Sequence, residues 1–228
     1  MGAVNVLAIE TATAACAVGL ATANGLELTR VMVGERHHNE VLVATIADLL
    51  GQAKVRPRDV ERVVVDHGPG LFTGLRVGVA TGIAFAQGVG AALVEVSSLE
   101  LFAHGAWRGG ARGEFVAVVD ARRGELFVQH FHLTSEVRAV GAPFVTTPDA
   151  LVESWRVDQS PTIFAGDGLA RYADVLADLV PTRSTALSVP PVLEALRLGV
   201  TREVVATVTP LYLRESDAVV NFTTRERS

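Results

Sequence analysis

The chain's most chemically suggestive stretch is Asp66-His-Gly-Pro-Gly-Leu-Phe-Thr-Gly-Leu-Arg-Val-Gly-Val-Ala-Thr-Gly-Ile-Ala-Phe-Ala86. A β-rich run, 62–66, ends in Gly68-Pro69-Gly70, and a helix is expected to open near Phe72 or Thr73. A glycine-rich turn between a strand and a helix is the usual cradle for a phosphate. Inside the expected helix Gly74, Gly78 and Gly82 fall four residues apart, on one face. Glycine in a helix interior costs about 0.5–1 kcal/mol relative to alanine. Three on one stripe require either a close-approaching backbone or a ligand held by the preceding loop.

The spacing argues against the ligand. A dinucleotide fingerprint needs G-x-G-x-x-G after the first strand. Here it is Gly68-x-Gly70-x-x-x-Gly74, after the fourth. A Walker loop needs Lys-Ser or Lys-Thr after its last glycine, and Leu75-Arg76 stands there instead. Gly78 and Gly82 also lie too far along the helix to reach a loop-bound phosphate. A tight turn and a closely packed helix is the preferred reading.

Two further turns carry acids between strands. Ile9-Glu10-Thr11-Ala12-Thr13 sits where actin-like and sugar-kinase folds place a D-x-G-T phosphate loop, and Asp120-Ala121-Arg122-Arg123 repeats the pattern in the second half. In such loops the acid helps position a metal and the glycine lets backbone approach phosphate. Ala12 and Arg122 occupy the glycine positions, so both read as vestigial phosphate loops. Arg122 and Arg123 could still hold an anion, but a solvated turn is the simpler reading.

The histidines do not assemble a metal motif. His37-His38 lacks an H-x-x-x-H partner, and His130-x-His132 shares a strand face without nearby acids or cysteines in sequence. No G-x-S-x-G elbow is present, and Ser97, Ser98 and Cys16 have no identifiable base in sequence. A hydrolase triad has no support.

The elements that must position these residues follow from periodicity. Strands are expected at 4–9, 15–21 and 26–33, then a helix at 38–53. Strand 62–66, the glycine loop, helix 73–87 and strand 91–96 form one βαβ unit, followed by a short helix at 99–106 capped by Ser97-Ser98. Gly105–Gly113, with four glycines, is the expected linker. Beyond it come strands at 114–119 and 125–132, another from about 137, a helix at 148–155, a strand at 162–165 and helices at 169–179 and 191–198. Each half opens with strand, acid-led turn, strand. Two related α/β lobes, 1–106 and 107–228, are expected.

The net charge is −5 and neither half is basic, which argues against tight nucleic-acid binding by this chain alone. The single cysteine excludes an internal disulfide and a cysteine-built zinc site. The first ten residues do not read as a signal peptide. The apolar run 77–96 is too rich in Gly and Ala, and too divided by Gly88-Val89-Gly90, to read as a membrane span. A cytoplasmic protein is expected.

Together these residues resemble the TsaB (YeaZ) family, accessory subunits for threonylcarbamoyladenosine modification of tRNA. The resemblance rests on Leu7-Ala-Ile-Glu-Thr-Ala-Thr13 with Cys16, Arg36-His-His38, Gly68-Pro-Gly-Leu-Phe-Thr-Gly-Leu-Arg-Val-Gly78, Val96-Ser-Ser-Leu-Glu100, Asp120-Ala-Arg-Arg-Gly-Glu125, Gly166-Asp-Gly168 and Pro210-Leu-Tyr-Leu-Arg214. The sequence departs from it at Glu10 (usually Asp), Asn39 (often Ser), Leu71 (Ser) and Val43-Ala44, which lacks the usual proline.

The resemblance implies an α/β fold of two actin-like (ASKHA, ribonuclease H-like) lobes with mixed sheets. It implies a non-catalytic scaffold that organises a TsaD transferase, with a TsaE ATPase joining the pair. Its first two helices would meet that partner, or a second copy in a homodimer, through Arg36, His38, Leu42, Ile46, Leu49, Gly74, Arg76, Gly78, Thr81, Gly82 and Phe85. ATP, metal and threonylcarbamoyl-adenylate would be used by the complex rather than bound tightly by this chain, and tRNA would be met only through the complex. An actin-like ATPase or small-molecule kinase, with Glu10 and Asp120 facing a metal–nucleotide, is the alternative; a peptidase is a weaker one.

Overall fold

The apolar run after Asn5 forms β1 (Val6–Glu10), buried along its whole length between β2 (Ala15–Ala21) and β4 (Arg62–Asp66). A computed structural model describes residues 4–33, 38–158, 162–179 and 187–214, without the side chains of residues 38, 39, 157, 158 and 178. β2 pairs antiparallel with β1 and with the edge strand β3 (Glu27–Val33), while β4 and then β5 (Ala92–Val96) add in parallel. The order β3-β2-β1-β4-β5 is the ribonuclease H-like winding expected for an actin-like lobe.

The second sheet repeats the winding with one strand fewer. β6 (Gly113–Arg122), β7 (Glu125–Leu133) and β8 (Val137–Thr146) form an antiparallel meander, and β9 (Thr162–Ala165) lies parallel to β6. The chain is thus α/β with two mixed sheets.

Helices cover both faces of the first sheet. α1 (His38–Ala53) and α2 (Phe72–Val89) lie on one face, where Leu42, Ile46, Leu49, Leu50, Val79 and Ala86 close over Leu7, Ile9, Val18 and Val65. α2 ends at Gly90, in the left-handed region at φ 76°. The opposite face is covered by α6 (Val192–Thr201), through Val192, Ala195 and Leu196. α3 (Ser98–Arg108) crosses to the second sheet, burying Leu99, Phe102, Ala103 and Ala106 against Phe115, Ala117 and Phe131. α4 (Pro148–Asp158) covers the other face of that sheet.

The boundary expected between 106 and 107 falls within the span of α3, whose Leu99, Phe102, Ala103 and Ala106 join the core of the second sheet and Leu101 that of the first, while α6 packs on the first. Two expectations are corrected. The linker expected over 105–113 is accordingly shortened to residues 109–112, because α3 runs to Arg108 and β6 opens at Gly113. The helix expected over 169–179 stops early: α5 spans Asp167–Arg171, and Leu176 and Leu179 are buried from a turn and a 3-10 segment, Ala177–Leu179. Tyr172 breaks it, leaving helical geometry (φ −119°, ψ 35°) while its hydroxyl donates to Asp120 Oδ1 at 3.3 Å.

The glycine stripe points inward. A Cβ at Gly78 would stand 2.1 Å from Thr11 Oγ1, and one at Gly82 2.4 Å from Val65 Cγ2. Thr11 Oγ1 also donates to the Gly74 carbonyl at 2.8 Å. Gly78 and Gly82 therefore let α2 lie on its own sheet. Gly78→Ala is expected to lower unfolding free energy by about 1–3 kcal/mol, the usual cost of overpacking a close contact. Combining it with Thr11→Ala should cost less than the sum of the two single changes, because one clash joins them. Urea unfolding of the four chains measures this; strict additivity would place the clash elsewhere.

Candidate functional site

The two acid-led turns and the glycine loop come together, and their backbone donors are already taken. Glu10 is fully buried at the end of β1, and its Oε1 accepts the Ala12 N–H at 2.7 Å. The Leu71 N–H donates to the Ala12 carbonyl at 2.6 Å. A Cβ at Gly70 would lie 2.2 Å from that same oxygen, so only glycine lets the loop close here. The Gly68 N–H donates to Asp66 Oδ1 at 2.8 Å, and the Gly68 carbonyl accepts from the Ser98 N–H at 3.2 Å. Ser98 Oγ donates to the Pro69 carbonyl at 2.6 Å. The Ala12, Gly68 and Leu71 N–H groups, which a phosphate would want, thus serve the chain itself.

The second turn is closed by its own side chains. The Arg122 N–H donates to Asp120 Oδ1 at 2.8 Å, and Arg122 Nη1 lies 3.1 Å from Asp120 Oδ2. Arg122 and Arg123 both adopt left-handed backbone, at φ 63° and 55°. Asp167 Oδ1 accepts the Asp120 N–H at 3.0 Å. Arg122 therefore neutralises an acid of its own loop, which leaves less of its charge for an external anion.

Three carboxyl groups at the junction are perturbed by burial. Burial pushes Glu10 well above the usual carboxylate range, with repulsion from Asp66 and, more weakly, Asp167 adding to it. Burial raises Asp66 to about 8 and Asp167 to about 6. Glu10 Oε2 and Asp66 Oδ2 are buried without a hydrogen-bond partner among the described residues. No group of three or more His, Cys, Asp or Glu is arranged to hold a metal among the described residues. Burial, with help from Glu10, pushes the Cys16 thiol up to about 12, and the Ser98 hydroxyl is spent on Pro69, so neither is an activated nucleophile.

The structure separates the expected interface residues into an inner and an outer set. Leu42, Ile46 and Leu49 are core residues and, with Gly74, Gly78 and Gly82, are unavailable to a partner. Thr81 and Phe85 are half-buried, Phe85 against the core of the first sheet. Arg76 is exposed, but it already has company. Its guanidinium lies 3.8 Å above the Phe72 ring and its Nε donates to the Tyr212 hydroxyl at 3.1 Å. Arg36 and the His38 side chain lie outside the described residues.

Sequence reasoning missed the outward face of the same two helices. Val43, Ala44, Ala47 and Gly51 are exposed on α1, and Thr73, Ala80, Ala84 and Gly88 on α2. Val43 is 62% exposed. The signal was available as the complement of the core stripe: small residues, among them Ala44, Ala47, Ala80 and Ala84, interspersed with Glu40, Asp48 and Arg76.

A two-lobed α/β protein whose phosphate loops are closed by its own atoms is thus defined by fold and site together. A family model described as TsaD: tRNA N6-adenosine threonylcarbamoyltransferase matches residues 32–182. The Escherichia coli (strain K12) tRNA threonylcarbamoyladenosine biosynthesis protein TsaB is 33% identical over 122 residues, covering 54% of this chain and 52%, about half, of that protein. An uncharacterized Mycobacterium tuberculosis protein is 32% identical over 215 residues, 93% of each chain. YeaZ from Pseudomonas aeruginosa superposes with a TM-score of 0.77 at 28% identity, covering 92% of this chain and 100% of that one. The chain belongs to the family of the TsaD model and, by its relatives, to the TsaB (YeaZ) group within it. Among the described residues no helix is long and apolar enough to cross a membrane.

The raised Asp66 has a signed consequence. A carboxyl whose folded pKa exceeds its unfolded value near 4 stabilises the fold below that value, and the contribution is lost as pH rises to about 8. Asp66→Asn keeps the Oδ1 acceptor without the ionisation. Unfolding free energies measured from pH 5 to pH 9 should fall more steeply for the native chain than for Asp66→Asn. Parallel profiles would mean Asp66 ionises freely in the folded state.

Proposed function

We propose that this chain acts in tRNA threonylcarbamoyladenosine biosynthesis as a non-catalytic subunit that docks a TsaD-type transferase. The outer face of α1 and α2 would be the contact. The observation that carries the reading is the contrast between the two sides of α2. Its glycine side is consumed internally, while its other side exposes Ala80 and Ala84, as α1 exposes Val43, Ala44 and Ala47. Small side chains let two helices of a partner approach closely, with Glu40, Asp48 and Arg76 as the charges at that face.

The closed loops support the non-catalytic half of the proposal. A nucleotide at Glu10–Thr13 would have to displace the Glu10 carboxyl group from the Ala12 N–H. ATP, metal and threonylcarbamoyl-adenylate are therefore assigned to the other subunits, including a TsaE-type ATPase, and tRNA contact to the assembled complex. The names of the relatives support the pathway. The same face would serve a homodimer when the transferase is missing.

Ala84→Arg places a long charge on the outer stripe, where it has no folded contact to break. It should weaken capture of the TsaD-type subunit from the same organism at least about tenfold, equivalent to about 1.4 kcal/mol. Its thermal midpoint should stay within about 2 °C of the native chain, as for a surface change. Unchanged capture would remove α2 from the interface.

A further inference from the structure

The second sheet carries a cavity that the docking of α1 and α2 does not use. It lies on the α4 face, opposite α3, and has a volume of about 540 Å³. Its position follows from strand register. On β6, Val116 pairs with His130 of β7 and Phe164 of β9, and one row further out Glu114 pairs with His132 and Thr162. α4 buries Leu151 and Val152 against the inner rows. It leaves the row of His130 open, so the sheet floor, the α4 wall and the edge strand β8 enclose a space.

Four of its eleven lining residues carry rings: His130, Phe144, Trp155 and Phe164. Phe164 and Val116 belong to the floor, Trp155 to the α4 wall, and Phe144 of β8 to the side. The imidazole of His130 stacks on Phe144, with centroids 5.9 Å apart and planes inclined by 21°. On the wall, Ser154 Oγ donates to the Leu151 carbonyl at 2.8 Å, while Trp155 Nε1 is buried without a hydrogen-bond partner among the described residues. Glu114 is the one aspartate, glutamate, lysine or arginine among the lining residues, and its Oε1 lies 3.8 Å from His132 Nε2 at the mouth.

We propose that this cavity binds an arylalkylamine, a planar ring system bearing a cationic ammonium side chain. The volume falls within the usual range for small-molecule sites. Aromatic faces attract a flat ring and, through their quadrupoles, a cation. An anion would meet Glu114 with no lysine or arginine beside it, so phosphates and carboxylates are disfavoured. The site is on the other sheet from Glu10 and Asp66 and owes nothing to the vestigial loops.

Three probes sharing one ring system test the proposal: tryptamine, tryptophol and indole-3-acetate, which are cationic, neutral and anionic. The readout is the indole N–H resonance of Trp155 in the full chain, distinguished from Trp107, the other of its two tryptophans, with Trp107→Phe. Tryptamine should shift it saturably, with an affinity about tenfold above tryptophol, and indole-3-acetate should bind most weakly. Glu114→Gln should bring tryptamine and tryptophol within about twofold of each other. Ala150→Trp, on the α4 wall, should abolish all three shifts; if it does not fold, Glu114→Gln on the rim carries the test alone. No saturable shift with any probe would overturn the proposal. So would an anion binding as tightly as the cation, or a charge preference that survives Glu114→Gln.

Discussion

The rest of the structure depends on the contact between Thr11 and α2. The Thr11 hydroxyl donates to the Gly74 carbonyl and occupies the space a Cβ of Gly78 would fill. One hydrogen bond alone contributes about 0.5–1.5 kcal/mol, but this one fixes a spacing. With α2 held against β1 and β4, the Leu71 N–H reaches the Ala12 carbonyl, Gly70 closes over that oxygen, and Glu10 is sealed from water. A loop that could have wrapped a phosphate becomes a clamp between a strand and a helix. The raised carboxyl groups of Glu10 and Asp66 follow from the same sealing.

The two lobes are not independent along the chain. α3 leaves the first half to pack on the second sheet and α6 returns to pack on the first. The segment after α6 continues the return. The Leu211 N–H donates to the His67 carbonyl, and Tyr212 stacks near Phe72, with centroids 5.0 Å apart. The region around the start of α2 is therefore built from three distant parts of the sequence.

Much of this was legible from periodicity. The strands, the βαβ unit around the glycine loop and the loss of phosphate-loop glycines all came from local pattern, because backbone geometry imposes it locally. The glycine stripe was legible as a demand for close approach but not as a direction. Glycine has no side chain whose polarity would say which neighbour it faces, and here the neighbour is Thr11, over sixty residues earlier. The exchange of α3 and α6 was invisible for a related reason: an amphipathic helix shows that it has a buried face, not which sheet buries it. Tyr172, where α5 ends, donates its hydroxyl to Asp120, a partner no local window contains.

The central claim is that α2 is spent inward on its glycine side and meets the transferase on the other. Cys16 is buried and is the chain's sole cysteine, so a cysteine introduced at Ala84 can carry a single photo-crosslinker. The most direct measurement is the crosslink yield from that position, against one at Val140 on the edge strand β8, in a mixture with the TsaD-type subunit from the same organism. The account predicts a specific crosslink to the transferase from position 84 and none from position 140. A crosslink from 140 with none from 84 would contradict it.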